Sequence, residues 1–81
     1  MIDAKEFIEQ TVKLIVDTPE EVKITVTESE QLTIYELRVD KGDMGMVIGK
    51  QGKNIRAIRI LLAAMSAAAA SKKRVYFELL E

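Results

Sequence analysis

Two hydrophobic periods alternate along the chain. Over "DAKEFIEQTVKLIV" the apolar residues Ala4, Phe7, Ile8, Val12 and Ile15 recur at helical spacing, and Asp3 stands where an N-cap belongs. "DTPEE" interrupts the pattern, with Thr18, Pro19 and two glutamates able to open a second helix. The period then drops to two. Val22, Ile24 and Val26 alternate with Lys23, Thr25 and Thr27, a β-branched strand pattern. A tight turn at Ser29 and Glu30 leads into "LTIYELRV". Here both phases are partly apolar, so the pattern does not say which face is buried. The short connection makes the two strands an antiparallel hairpin. "DKGD" is a turn in which Gly42 can take a positive φ, and Asp43 can cap a short helix over Met44 to Ile48. From Gly52 a longer helix runs to about Ala70. Its apolar stripe is Ile55, Ile58, Leu61, Leu62, Met65 and Ala69, and its polar stripe is Lys53, Asn54, Arg56 and Arg59. "SKKR" forms a basic loop before a last strand, "VYFELL".

The predicted order is helix, strand, strand, short helix, glycine turn, long helix, strand. It implies an α+β fold with a three-stranded mixed sheet backed by helices. The last strand returns after a helical connection, so it lies parallel to one of the others.

Composition narrows the chemistry. At 81 residues the chain is long enough for one small domain, 1–81, with a thin core. It contains no cysteine and no histidine, which removes disulfides, thiolate metal sites and the usual general base near neutral pH. No paired carboxylates converge by spacing on the glycine turn. The expectation is therefore a non-catalytic protein without cofactor or metal. The longest apolar run, "ILLAAMSAAAA", falls short of the roughly 20 residues of a membrane span. Acids in "MIDAKEFIEQ" stand where a signal peptide is positive only. Both features lead to an expectation of a soluble, cytoplasmic protein.

The net charge of -1 does not suggest a nucleic-acid partner, but its distribution does. Residues 1–36 hold nine acids and three lysines, while residues 37–81 hold nine basic residues and four acids. One half is thus at -6 and the other at +5, and a local basic face governs binding more than the total does.

The centre of that basic half is "MVIGKQGKNIRAIR", residues 46–59. Glycines at both ends of a two-residue turn let a ligand approach the backbone. The turn precedes a helix N-terminus, where free N–H groups and the dipole favour phosphate. Lys50 puts a mobile charge at its tip, and Arg56 and Arg59 share one side of the following helix. A Walker A loop is excluded, because Gly45 and Gly49 are three residues apart and Gln51 follows Lys50. A dinucleotide fingerprint fails on the spacing of its first glycine pair. The G-x-x-G spacing by itself is common, and it also suits a plain helix end at Gly49 and helix entry at Gly52.

In its context, however, "VIGKQGKNIRAIR" resembles the glycine loop of the K-homology (KH) domain, which clamps about four nucleotides of single-stranded nucleic acid. The element order is similar to the type II (prokaryotic) KH domain, α-β-β-α-α-β. "TPEEV", "VIGKQG" and "IRAIRILL" together resemble the small bacterial single-KH-domain proteins, the KhpA-like family, over nearly the whole chain. The resemblance implies single-stranded RNA binding in post-transcriptional regulation or as an RNA chaperone. Gly49, Lys50, Gln51 and Gly52 would clamp phosphate with Lys53 beside them. Ile48 and Ile55 would wall the groove or simply pack in the core. Arg56 and Arg59 would contact the backbone or stand as a solvated helix face. Lys72, Lys73 and Arg74 would close the far side of the groove or form a charged turn before an edge strand. One departure stands out: Met46 occupies a position where the family commonly carries a basic residue.

Aromatic residues make up only 5% of the chain, which argues against an aromatic stacking platform. A second class of function is a protein-interaction module, with the alanine-rich helix and Met44, Met46 and Met65 serving a dimer surface. The resemblance implies a homodimer, or pairing with a larger KhpB/Jag-type KH protein. A free nucleotide is a third candidate ligand, but no base pocket is visible for it.

Overall fold

A computed structural model describes residues 3–69 and 73–81. Six elements follow in order: α1 (Ala4–Ile15), β1 (Lys23–Glu28), β2 (Leu32–Arg38), α2 (Met44–Ile48), α3 (Lys53–Ala68) and β3 (Arg74–Leu80). The sheet order is β1-β2-β3, with β1 antiparallel and β3 parallel to β2. The expected mixed sheet is therefore present, and its parallel pair is the one joined by the helical connection.

Asp3 caps α1 by accepting from the Glu6 amide at 2.8 Å. Ile8 and Val12 are fully buried, and Val16 joins them where the chain turns extended. Ile15, expected in the core, is only half-buried because Val16 takes the inward position after the helix ends. At β1 the period-two pattern holds, with Val22 and Ile24 buried. The undecided phase of β2 resolves toward Thr33, Tyr35 and Leu37. Leu37 is fully buried, and its neighbour across the parallel ladder, Leu79, packs against the same core. α3 contributes Ile58 and Leu62 to that core, and β3 contributes Phe77. Ile55 and Met65 are partly buried beside them. Leu61 and Ala69 do not join the buried stripe: Ile58 and Leu62, four apart, hold the inward line, and Leu61 is turned about a quarter of the helix away.

Four local expectations are corrected. Thr18 to Glu21 forms only a single 3-10 turn over Pro19–Glu21, because the β-branched run from Val22 draws the chain into β1. Gly42 does not adopt a positive φ. The Asp40 side chain accepts from the Gly42 amide at 3.0 Å and closes a tight 3-10 turn over Lys41–Asp43. Asp43 stands at the N-cap of α2 but its side chain does not cap it. That carboxylate is buried and turned back to the α1–β1 loop, where it accepts from the amides of Thr18 at 2.9 Å and Asp17 at 3.3 Å. It satisfies two loop N–H groups that would otherwise be stranded, and it ties the start of α2 to the end of α1. Finally, α3 ends at Ala68, with Ala69 extended at its C-cap; Ala70 lies outside the described residues.

Candidate nucleic-acid interface

The chain from α2 into α3 makes a sharp corner at Gly49–Gly52. Gly49 ends α2 at φ 77°, ψ 167°, and Gly52 opens α3 at φ 74°, ψ 17°. The first is a conformation essentially confined to glycine, and the second is the left-handed region. Gln51 between them is also left-handed, at φ 58° and ψ 26°, and no other non-glycine described residue has a positive φ. Holding an ordinary side chain there costs about 1–2 kcal/mol. Strain of this kind gathers where function requires a fixed backbone.

The two glycines are required for different reasons. A β-carbon on Gly49 would stand 2.7 Å from Asn54 Cγ and 2.8 Å from the Asn54 backbone nitrogen. On Gly52 it would meet nothing nearer than Arg56 Nη1 at 3.7 Å. Gly49 is thus excluded from carrying a side chain by both angle and space, whereas at Gly52 a side chain would be strained by angle alone.

No side chain caps α3. The Gly52 and Lys53 amides turn back to the Gly49 and Lys50 carbonyls, and no carboxylate or hydroxyl caps the first turn of α3, where the helix dipole suits an anion. Lys50, Lys53 and Arg56 are all exposed around this corner. Residues 44–68 carry four cations and no acid. The only ion pair among the described residues is elsewhere, between Lys73 and Glu28.

Further along α3, a groove of about 400 Å³ lies between α3 and the edge strand β3, lined by Arg59, Leu62, Val75, Tyr76, Phe77 and Glu78. Arg59 reaches across it to the Phe77 carbonyl at 3.4 Å. Its floor is aliphatic and its rim holds both Arg59 and Glu78, so the cationic character lies at the corner rather than along the groove.

Of the expected site residues, Ile48, Gly49, Lys50, Gln51, Gly52, Lys53 and Arg56 lie together at the corner. Ile48 is 38% exposed beside it, whereas Ile55 packs partly against the core. Arg59 belongs to the groove. Lys73 and Arg74 lie at the other end of α3; a 16-residue helix separates the two ends by about 24 Å. There Lys73 Nζ pairs with Glu28 at 3.0 Å, and the Lys73 carbonyl accepts from the Ser66 hydroxyl. Lys72 lies outside the described residues.

Two residues were overlooked by sequence reasoning. Tyr76, in the strand "VYFELL", carried no expected role, yet it is 48% exposed at the groove rim. Its phase, opposite to the buried Phe77, was the available signal. Asn54 was read as part of a polar stripe, yet its Nδ2 donates to the Met46 carbonyl at 2.8 Å. No sequence signal marks that bond.

A mixed sheet backed by helices on one face, with a glycine corner between the two helices that join the parallel strands, defines a KH domain of type II. The comparisons agree. The family model described as the KhpA/KhpB KH domain matches residues 5–79, and the chain belongs to that family. It is 49% identical over 76 residues to a protein of Borreliella burgdorferi named RNA-binding protein KhpA, an alignment covering 94% of this chain and 90% of that one. A Chlamydia trachomatis protein of the same name is 46% identical, covering 95% of this chain and 96% of that one. One from Aquifex aeolicus is 43% identical, covering 95% of each chain. No solved structure matches the chain. Among the described residues no helix is long and apolar enough to cross a membrane.

Proposed function

We propose that this chain is a single KH domain that binds single-stranded RNA without catalysing a reaction, gripping the sugar–phosphate backbone at Gly49–Gly52. The observation that carries the proposal is the uncapped N-terminus of α3 behind a strained glycine corner, ringed by Lys50, Lys53 and Arg56. Phosphate oxygens accept from the open N–H groups while the cations neutralise charge. Bases turn into the groove, where Leu62 and Val75 give an apolar floor and Tyr76 offers one stacking face. Ile48 and Arg59 border this path. Arg74 would assist at the far end. With one aromatic and few base-reading groups, binding by a single domain is weak and tolerant of sequence. Its role in the cell is post-transcriptional, as a regulator or RNA chaperone in the cytoplasm. The names of the KhpA relatives support RNA as the ligand.

A second, compatible reading is association with a copy of itself or with a larger KhpB/Jag-type KH protein. Leu14 at 89%, Ile60 at 69% and Leu61 at 43% exposure favour it. Leu61 borders a shallow apolar hollow with Ala4, Phe7 and Met65, two helical turns from Lys53. Pairing there would leave the glycine corner open, so two weak sites would combine by effective concentration.

Fluorescence anisotropy with a short single-stranded RNA pool, at two salt concentrations, tests the first reading. The Lys50→Asp, Gln51→Asp double variant keeps both glycines and the core, and it is expected to lose at least tenfold in affinity while remaining folded. Equal affinity of variant and wild type would remove the corner from the interface.

A further inference from the structure

We propose that Asn54 is a positioning residue that holds the glycine corner in its binding geometry without touching the ligand. The inference rests on the RNA-binding reading of the corner. α2 is only five residues long, and its last carbonyls have no helical partners. The Gly49 amide reaches back to the Gly45 carbonyl at 2.9 Å. The next carbonyl, that of Met46, is taken by Asn54 Nδ2 at 2.8 Å. Asn54 sits in the first turn of α3, so this one bond ties the end of α2 to the start of α3 across the corner. The same side chain fills the space beside Gly49: its Cγ and Nδ2 lie 2.7 and 2.8 Å from where a β-carbon would be.

Asn54 is thus the fixed wall against which Gly49 takes its glycine-only angles, and those angles set the path of the chain through Lys50 and Gln51 into α3. An aspartate here would lack the donor and add negative charge beside the phosphate site. A residue without a polar head would leave the Met46 carbonyl unpaired. The half-buried amide already spends a donor on Met46, and its role is to restrict the corner to one conformation, reducing the ordering cost of binding.

The test compares Asn54→Ala and Asn54→Leu with Lys50→Ala, using RNA titrations over a salt series and backbone NMR relaxation of residues 49–52 in the free protein. Leucine keeps approximately the shape of asparagine and favours helix, so it removes the bond while supporting α3. Both Asn54 variants are expected to bind about five- to tenfold more weakly, the effect of losing one hydrogen bond, with the wild-type salt slope. Lys50→Ala is expected to weaken binding and to flatten the slope by about 0.7 per lost phosphate contact. In the free protein, residues 49–52 are expected to become more mobile in the Asn54 variants only.

An intermolecular NOE between RNA and the Asn54 side-chain amide of the wild-type complex would make Asn54 a direct contact and overturn the proposal. Unchanged relaxation at residues 49–52 would overturn it as well, whatever happens to affinity. If wild-type protein binds no RNA, the functional reading fails separately, and the relaxation data still decide whether Asn54 fixes the corner.

Discussion

The two ends of α3 carry similar cations in opposite circumstances. At its N-terminus, Lys50, Lys53 and Arg56 surround a strained corner and no acid lies within residues 44–68. At its C-terminal end, Lys73 is matched by Glu28 across the sheet and its own carbonyl is held by Ser66. At one end no described acid pairs with any of the three cations; at the other, Lys73 is neutralised internally. Charge count alone would rate the "KKR" loop as highly as the glycine turn. The difference lies in what faces each cation, and it is the reason the proposed reading favours the corner.

The largest expected effect comes from breaking the corner itself. Gly49→Ala combines a glycine-only backbone with a collision against Asn54, and should destabilise the protein by about 2–4 kcal/mol. Gly52→Ala, which strains only the backbone, should cost about 1–2 kcal/mol. Chemical denaturation of the two variants checks the asymmetry, and equal costs would refute it. Next in size is Asp43→Ala, which strands the amides of Asp17 and Thr18 and should cost about 2–3 kcal/mol. Because Asp43 ties α2 to the end of α1, the same variant should also weaken RNA binding, as anisotropy would report.

Glu28→Gln sharpens the contrast between the two ends. Freeing Lys73 should change stability by under about 1 kcal/mol, as expected of an exposed pair, and should raise RNA affinity about twofold if RNA reaches that far. The smallest effect concerns Tyr35, whose hydroxyl is held above its usual pKa by burial, then by the charges of Glu28 and Asp3. Its contribution to stability is complete below the unfolded value of about 10 and is lost as pH rises through the higher folded value. Tyr35→Phe should therefore flatten the alkaline limb of a stability–pH curve, with no change near neutrality.

Much of the architecture is legible in the residues. Period two in "KITVTE" and helical spacing in "EFIEQTV" leave little freedom, because each pattern buries one face only in its own geometry. The glycine spacing located the corner. Less legible were residues whose partners are distant in sequence. Asp43 looked like a cap for its own helix, but its partners are 25 and 26 residues away. Leu61 looked like core and lies half-exposed beside α1. The buried phase of β2 was undecided until the helices packed on one face.

The sequence by itself determined the elements, their order, the parallel return of β3 and the position of the basic half. These depend on local periodicity, on glycine's freedom of φ and on connection length, all of which act along the chain. Only the tertiary structure decided that Gly49 is required by space as well as angle, that Lys73 is already paired, and that Tyr76 reaches the groove. Each of these depends on which side chain another element brings within a few ångströms, and no local pattern encodes that distance.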